Sequence, residues 1–457
     1  MNTIIVSAIL GVVMMFSGIL VKHHAALKNI AIAGLLVLLG LNVGENYGFA
    51  LFDINTTNML HFERFGLLFN SICIFSTLLF VMLSGKDVEK VGNYTAEYFA
   101  LIFFILCGIG IVTSYVNLMM LFIGIEIISI PSYILTGSDK KNLKSNEASL
   151  KYFLMGAFST GIMLMGIALL YGTSGTFLVE RAAAQTPSIS YLEAMGLLLL
   201  FISLSFKVSL APFHFWTPDV YDGAPTVFTS FMATIVKVAG FAAFIRLFES
   251  RYGSMGSQTE RLIAIVIVLT LAFGNLTAVF QQSVKRMLAY SSIAQAGFML
   301  FALFSLNDAA KEGLILYAAA YCLATIGIFA VLVKMEDGTF EGFNGFGKSQ
   351  PLLAGVLTIF LLSLAGIPLT AGFFAKYYML ASVVKTGNNL GLVIIAVLFA
   401  AVSAYYYFKV IQAMFFKDGD VSFPAVTSRF KYLMVAVAAV IVILGIFPNL
   451  LLQFMYF

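Results

Sequence analysis

Charge is scarce in this sequence. Of its 457 residues, 26 are Lys or Arg and 22 are Asp or Glu, 11% of the chain. A water-soluble chain needs nearer ~25% charged residues. The scarcity excludes a soluble enzyme, a disordered chain and a nucleic-acid-binding protein. Cysteine is scarcer still: Cys73, Cys107 and Cys322 lie far apart inside apolar runs, with no spacing for a zinc site, an iron–sulfur cluster or a CxxC redox pair. His23, His24, His61 and His214 form neither an HExxH motif nor a ligand cluster. The chain is therefore expected to bind no metal and to carry no redox centre of its own. Its net charge of +4 says little about partners until it is read loop by loop.

What the sequence does have is long apolar runs. Apolar residues make up 61% of it, and the mean hydropathy is +0.98. A transmembrane helix needs about 20 mostly apolar residues. Fourteen such runs fall near 3–21, 29–44, 65–85, 95–112, 116–136, 149–171, 191–214, 226–247, 262–280, 287–306, 312–333, 352–384, 391–415 and 432–454. They are solid and do not alternate, which excludes a closed β-barrel. The first run has no basic n-region before it and no Ala-x-Ala-like site, so it reads as a helix and not a signal peptide. The reading is an all-α polytopic membrane protein with no soluble domain.

Basic residues orient it. Fourteen Lys and Arg lie after the odd-numbered runs, among them Lys22, Lys86, Lys140, Lys141, Lys285, Lys334 and Lys348. The opposite loops hold seven: Arg64, Arg181, Arg246, Arg251, Arg261, Lys311 and Lys385. Positive loops face the cytoplasm, so both termini are expected on the outer side. Five lysines remain within apolar runs: Lys151, Lys207, Lys237, Lys376 and Lys409.

A charge at the bilayer centre costs at least ~2.5–3.5 kcal/mol, so an ionisable group there is a functional candidate. Lys237 is central in the eighth run and Glu126 in the fifth; Lys207 lies just past the middle of the seventh, and Lys376 in the second half of the twelfth. Lys151 sits near the cytoplasmic end of the sixth run, and Lys409 is close enough to an end to snorkel. One acid cannot neutralise three lysines, so a purely static pairing leaves excess charge. Burial disfavours the charged form of a lysine, and a row of such groups can relay protons.

Three prolines fall within runs. Pro131, Pro212 and Pro368 each free the carbonyl four residues earlier, on Ile127, Val208 and Leu364. Pro212 closes Ser-Leu-Ala-Pro at 209–212, and Pro368 closes Ser-Leu-Ala-Gly-Ile-Pro at 363–368. These similar breaks are five spans apart, so they run in opposite directions across the membrane. Interrupted helices in matching positions indicate an inverted-repeat transporter fold. The expected organisation is one membrane domain: three helices in 1–90, a first repeat of helices four to eight in 91–250, a second, inverted repeat of helices nine to thirteen in 251–417, and a final helix in 418–457.

Several segments then resemble the antiporter-like membrane subunits of respiratory complex I, the proton-pumping NADH:quinone oxidoreductase. They are GIEIISIPSYIL, NEASLKYFLMGAFSTGIMLMGIALLYGTSGT, LSFKVSLAPFHFWTPDVYDGAPT, GNLTAVFQQSVKRMLAYSSIAQAGFML and LLSLAGIPLTAGFFAKYYML, spread over most of 115–385. Within that family the chain is most similar to the N-type subunits. The L and M types typically carry His where this chain has Tyr221; M has Glu where it has Lys376; and it lacks the long C-terminal arm of L. The resemblance implies that Glu126 pairs with Lys207, that Lys237 is a central relay, that Lys376 leads to the outer exit, and that Lys151 and His214 are further candidates. It implies partners among the other membrane subunits and the peripheral redox arm, which would hold NADH, FMN, iron–sulfur clusters and quinone, in a bacterial inner membrane. One departure stands out. The eleventh run has Tyr317, Tyr321 and Thr325 but no Lys or His at the family's polar position. Mrp-type cation/proton antiporters and membrane-bound hydrogenases share the fold and motifs and are the alternatives.

Overall fold

The computed structural model describes residues 1–21, 24–52, 54–179, 190–249, 257–387 and 389–456. Lys22, His23, Arg181 and Arg251, which entered the reading above, lie outside the described residues. Twelve helices are long and apolar enough to cross a membrane. They are α1 (Asn2–Leu20), α2 (His24–Asn46), α3 (Arg64–Ser84), α4 (Thr95–Val112), α5 (Leu118–Thr136), α6 (Leu143–Ser174), α8 (Thr226–Glu249), α9 (Ser257–Val279), α10 (Val284–Ser305), α11 (Asp308–Leu332), α13 (Leu390–Phe416) and α14 (Ser428–Ile446). The other two spans are each broken into halves: α7 is Tyr191–Lys207 and Trp216–Gly223, and α12 is Pro351–Ala365 and Ala371–Lys385. The fourteen expected spans are all present.

The two breaks have local causes. The first half of α7 stops at Lys207, Ser209 turns into the left-handed region at φ 67°, and Pro212 follows. The first half of α12 ends on Gly366 at φ 84°, whose N–H reaches back to the Leu362 carbonyl. Only glycine takes that conformation without strain. Gly372 is required for a different reason: a Cβ there would lie 1.8 Å from the Ser363 carbonyl oxygen. Pro131, by contrast, leaves α5 continuous.

Packing pairs recur five helices apart. In the first half α4 packs on α5 and α6 on α7; in the second, α9 packs on α10 and α11 on α12. Burial is graded across the bundle. The apolar stretch of α11 is enclosed throughout by protein, and α3, α4, α8 and α10 are nearly so, while α1, α2, α6, α13 and α14 turn most of theirs outward. In lipid an outward apolar face is at no disadvantage, because acyl tails solvate it as well as another helix does.

Ion pairs tie together loops of one side only. After the odd-numbered spans, Lys334 pairs with Asp87, and Lys348 lies 2.5 Å from Asp418. On the other side, Arg246 lies 3.6 Å from Glu63, Lys311 pairs with Glu249, the N-terminal ammonium pairs with Glu45, and Tyr456 bonds Glu312. Both termini therefore share a side, opposite Asp87 and Lys334. Asp87 is 4% exposed and also pairs with Lys90 at 2.9 Å. Removing one partner of a buried pair strands the other charge, at a cost of about 3–5 kcal/mol. Asp87→Ala is thus expected to lower the thermal midpoint of the purified protein, and adding Lys334→Ala to recover part of the loss. The three native cysteines are buried, so single cysteines at exposed Met59 and Asp418 are expected to label from opposite faces of sealed vesicles.

Candidate functional site

Glu126 and Lys207 meet across α5 and α7. Lys207 Nζ lies 3.9 Å from Glu126 Oε1. It donates to Ser129 Oγ at 2.9 Å, Tyr133 OH at 3.4 Å and Thr160 Oγ1 at 3.5 Å. Thr160, from α6, donates in turn to Glu126 Oε1 at 2.7 Å. Hydroxyls thus share in solvating both charges. Lys207 is the last residue of the first half of α7, so the helix break and the charge fall together. Ser205, Ser209 and Thr217 add buried hydroxyls around the break that make no bond among the described residues.

Lys237 is enclosed more completely, at 1% exposure. Its ammonium bonds Ser292 of α10, at 2.7 Å to the hydroxyl and 3.2 Å to the carbonyl, and faces the Tyr221 ring at 5.4 Å. Among the described residues no carboxylate pairs with it. The turn before it, Met232–Val236, is π-helical. That geometry loosens the backbone ladder, and π segments often mark functional sites. Two tyrosines use its carbonyls: Tyr221 donates to Met232 at 3.3 Å, and Tyr321 to Ala233 at 2.8 Å.

Lys376 lies against the break in α12. Its ammonium donates to the Leu364 and Ala365 carbonyls, both at 2.9 Å, and faces the Phe298 ring at 4.7 Å. Leu364 is the carbonyl that Pro368 was expected to free. Gln295 of α10 donates to the same oxygen at 3.0 Å, donates to Tyr407 OH at 3.0 Å, and accepts from Tyr317 OH. Gln295, Tyr317, Tyr321, Ser363, Leu364 and Lys376 line a small cavity with room for one water.

Between Lys207 and Lys237 runs an aromatic series that the sequence reading did not foresee. Tyr133 meets Tyr152 edge-on at 4.7 Å, Tyr152 stacks on Trp216 at 4.6 Å, and Trp216 meets Tyr221 at 5.8 Å between ring centroids. The sole tryptophan was a visible signal, and Tyr221 had been noted only as a difference from sister subunits.

Two candidates lie apart from this row. Lys151 is 42% exposed and is held by Glu147 at 2.8 Å and Asp219 at 3.0 Å, beside Arg286, in an open cleft at the end of α6. α6 starts at Leu143, two turns before the apolar run, so Lys151 stands inside the helix with acids of two helices as its partners. His214 is buried, and its ring packs between Phe215 and Phe273. Lys409, seven residues before the last residue of α13, faces the Phe340 ring at 4.2 Å and reaches the Gln281 carbonyl at 3.5 Å.

Fourteen spans, two broken helices, and a row of three enclosed lysines begun by the half-buried Glu126 define an antiporter-type polytopic membrane subunit. Residues 116–403 match the family described as NADH:quinone oxidoreductase/Mrp antiporter, TM. Over 470 aligned residues the chain is 40% identical to NADH-quinone oxidoreductase subunit N of Cytophaga hutchinsonii, covering 99% of each. A chain of respiratory complex I from Thermus thermophilus with bound Aureothin superposes with TM-score 0.85 and 31% identity over 99% of this chain and 98% of that one. A chain of the Mrp complex from Dietzia sp. superposes equally, TM-score 0.85 over 99% and 95%, at 18% identity, a likeness of fold alone. The chain belongs to the NADH:quinone oxidoreductase/Mrp antiporter family, in its NADH-quinone oxidoreductase subunit N branch. The likeness extends over the first three helices and the C-terminus, where the sequence motifs were least diagnostic.

Gln295 is expected to be structurally demanding. Gln295→Leu orphans the Tyr317 hydroxyl and removes a donor from Leu364, at about 1–3 kcal/mol for a buried group left unpaired. A thermal midpoint below that of the wild type would register it.

Proposed function

We propose that this chain moves protons across a bacterial inner membrane as a subunit of NADH:quinone oxidoreductase, along Glu126, Lys207, Lys237 and Lys376. The buried row carries the reading. Lys237 and Lys376 have no carboxylate partner among the described residues, and hydroxyls, carbonyls and rings hold them instead. A structural ion pair needs its counter-charge; a site that must lose and regain a proton does not. Redox chemistry belongs to partner subunits that hold NADH, FMN, iron–sulfur clusters and quinone, and this chain receives the energy as a movement of charge near Glu126. Unit charges ~4 Å apart attract by about 4 kcal/mol at an effective dielectric of ~20. Approach or withdrawal of that carboxylate therefore suffices to move a proton on or off Lys207.

The two repeats, 91–250 and 251–417, supply one break each. Lys151 belongs to the cytoplasmic mouth, where protons enter, and His214 to the rim of the first break. The excess of Lys and Arg after the odd-numbered spans puts both termini on the periplasmic side. Full-length identity of 40% to a subunit N, against 18% to the Mrp chain, favours complex I over the antiporter.

Lys237→Ala tests the relay in the assembled complex. NADH-driven acidification of inverted membrane vesicles is expected to fall by about tenfold or more, the equivalent of ~1.4 kcal/mol or more, with complex content unchanged. Full pumping by that variant would sink the proposal. Flavin- and iron–sulfur-bearing subunits should copurify; a set of small membrane subunits alone would point to the antiporter.

A further inference from the structure

Two polar routes lead from the neighbourhood of Lys237 to Lys376, and they differ in what they can carry. The first runs along α10 through Ser291, Tyr407 and Gln295: Ser291 bonds Tyr407 OH at 2.5 Å, and Gln295 bonds both Tyr407 and the Leu364 carbonyl beside Lys376. Its bonds are unbroken from Ser291 to the Leu364 carbonyl, but they pass through an amide. Gln295 commits its amide protons to Tyr407 and Leu364 and its oxygen to Tyr317. A carboxamide neither gains nor loses a proton near neutral pH, so this route holds geometry and blocks transfer.

The second route is α11. Tyr321 is 2% exposed, and its hydroxyl reaches the Ala233 carbonyl at 2.8 Å. Ala233 lies four residues before Lys237, and a helical side chain leans back over the residue four before it. The lysine stem and the phenol therefore border the same π-helical turn, the phenol through the Ala233 carbonyl and the lysine from the residue that follows the turn. Tyr321 also lines the one-water cavity whose far wall is Lys376. It is thus the hydroxyl that touches both neighbourhoods.

We propose that Tyr321 and the water-sized cavity it shares with Lys376 carry the proton from Lys237 to Lys376. The inference rests on the relay reading above. The phenol accepts a proton from the Lys237 ammonium as it gives its own to the cavity water, and the water gives one to the unprotonated Lys376 amine. Phenol and water end as they began, Lys237 is left neutral and Lys376 is charged. Gln295 is a positioning residue: it fixes Tyr317 and Leu364 in the cavity wall and closes the competing route.

The test uses the assembled complex in inverted vesicles, with NADH-driven acidification measured per unit of complex. Tyr321→Phe is expected to lower the rate by about tenfold, within the range of general acid–base effects, and Tyr321→His, which again offers a proton-carrying group, to restore most of it. Wild-type pumping by Tyr321→Phe overturns the proposal, as does an equal loss in Tyr321→His, which would mark a packing role. If Tyr321→Phe does not assemble, Ala320→Val decides: it fills the cavity from the same helix and leaves every hydroxyl. Loss of pumping then supports the proposal, and a wild-type rate overturns it. Lys237→Ala runs in parallel. If it pumps normally, the relay reading falls; if it is dead while Tyr321→Phe is normal, only the present inference falls.

Discussion

A polar group without water must be solvated by the protein, and the interior of this bundle is arranged around that constraint. Backbone carbonyls freed at breaks and ammonium groups held in the bilayer are each costly alone. Together they satisfy one another. Lys376 is bonded by the two carbonyls at the end of a half-helix, and the negative end of the helix dipole points at the same place. Lys237 uses a hydroxyl, a carbonyl and an aromatic face. The helix interruption and the buried cation are therefore one device.

The first break uses different partners for the same purpose. Lys207 is the last residue of its own half-helix, but its ammonium turns to α5 and α6, where Ser129, Tyr133 and Thr160 surround it and Glu126 stands just beyond bonding distance. A contact ion pair there would hold the proton firmly. A hydroxyl-bridged separation of 3.9 Å keeps the two charges coupled while leaving each able to change state.

Membrane folding made the spans legible, because twenty apolar residues in lipid have few alternatives to a helix. Glu126, Lys207, Lys237 and Lys376 stood out because each is an expensive charge in an apolar run, and Leu364 followed from the chemistry of proline. What stayed hidden lay in contacts between distant helices. Lys151 is neutralised by Asp219, 68 residues away, and the extra turns of α6 that expose it are polar. Gln295, Tyr317 and Tyr321 are ordinary polar residues in apolar helices, and nothing in their spacing says that α10, α11 and α12 close a cavity around Lys376. The aromatic series from Tyr133 to Tyr221 likewise joins helices α5, α6 and α7.

The Asp87–Lys334 pair bears on how the chain is made. Its partners are 247 residues apart, on loops that leave the ribosome at opposite ends of synthesis, and α3 packs directly on α11. The first helices must therefore wait in the bilayer, with Asp87 held by Lys90 alone and an inner face unfilled, until the eleventh has been inserted. Insertion proceeds helix by helix, but consolidation of the bundle comes late, and a truncated chain lacking α11 leaves its N-terminal helices as an open surface for the cell's quality control.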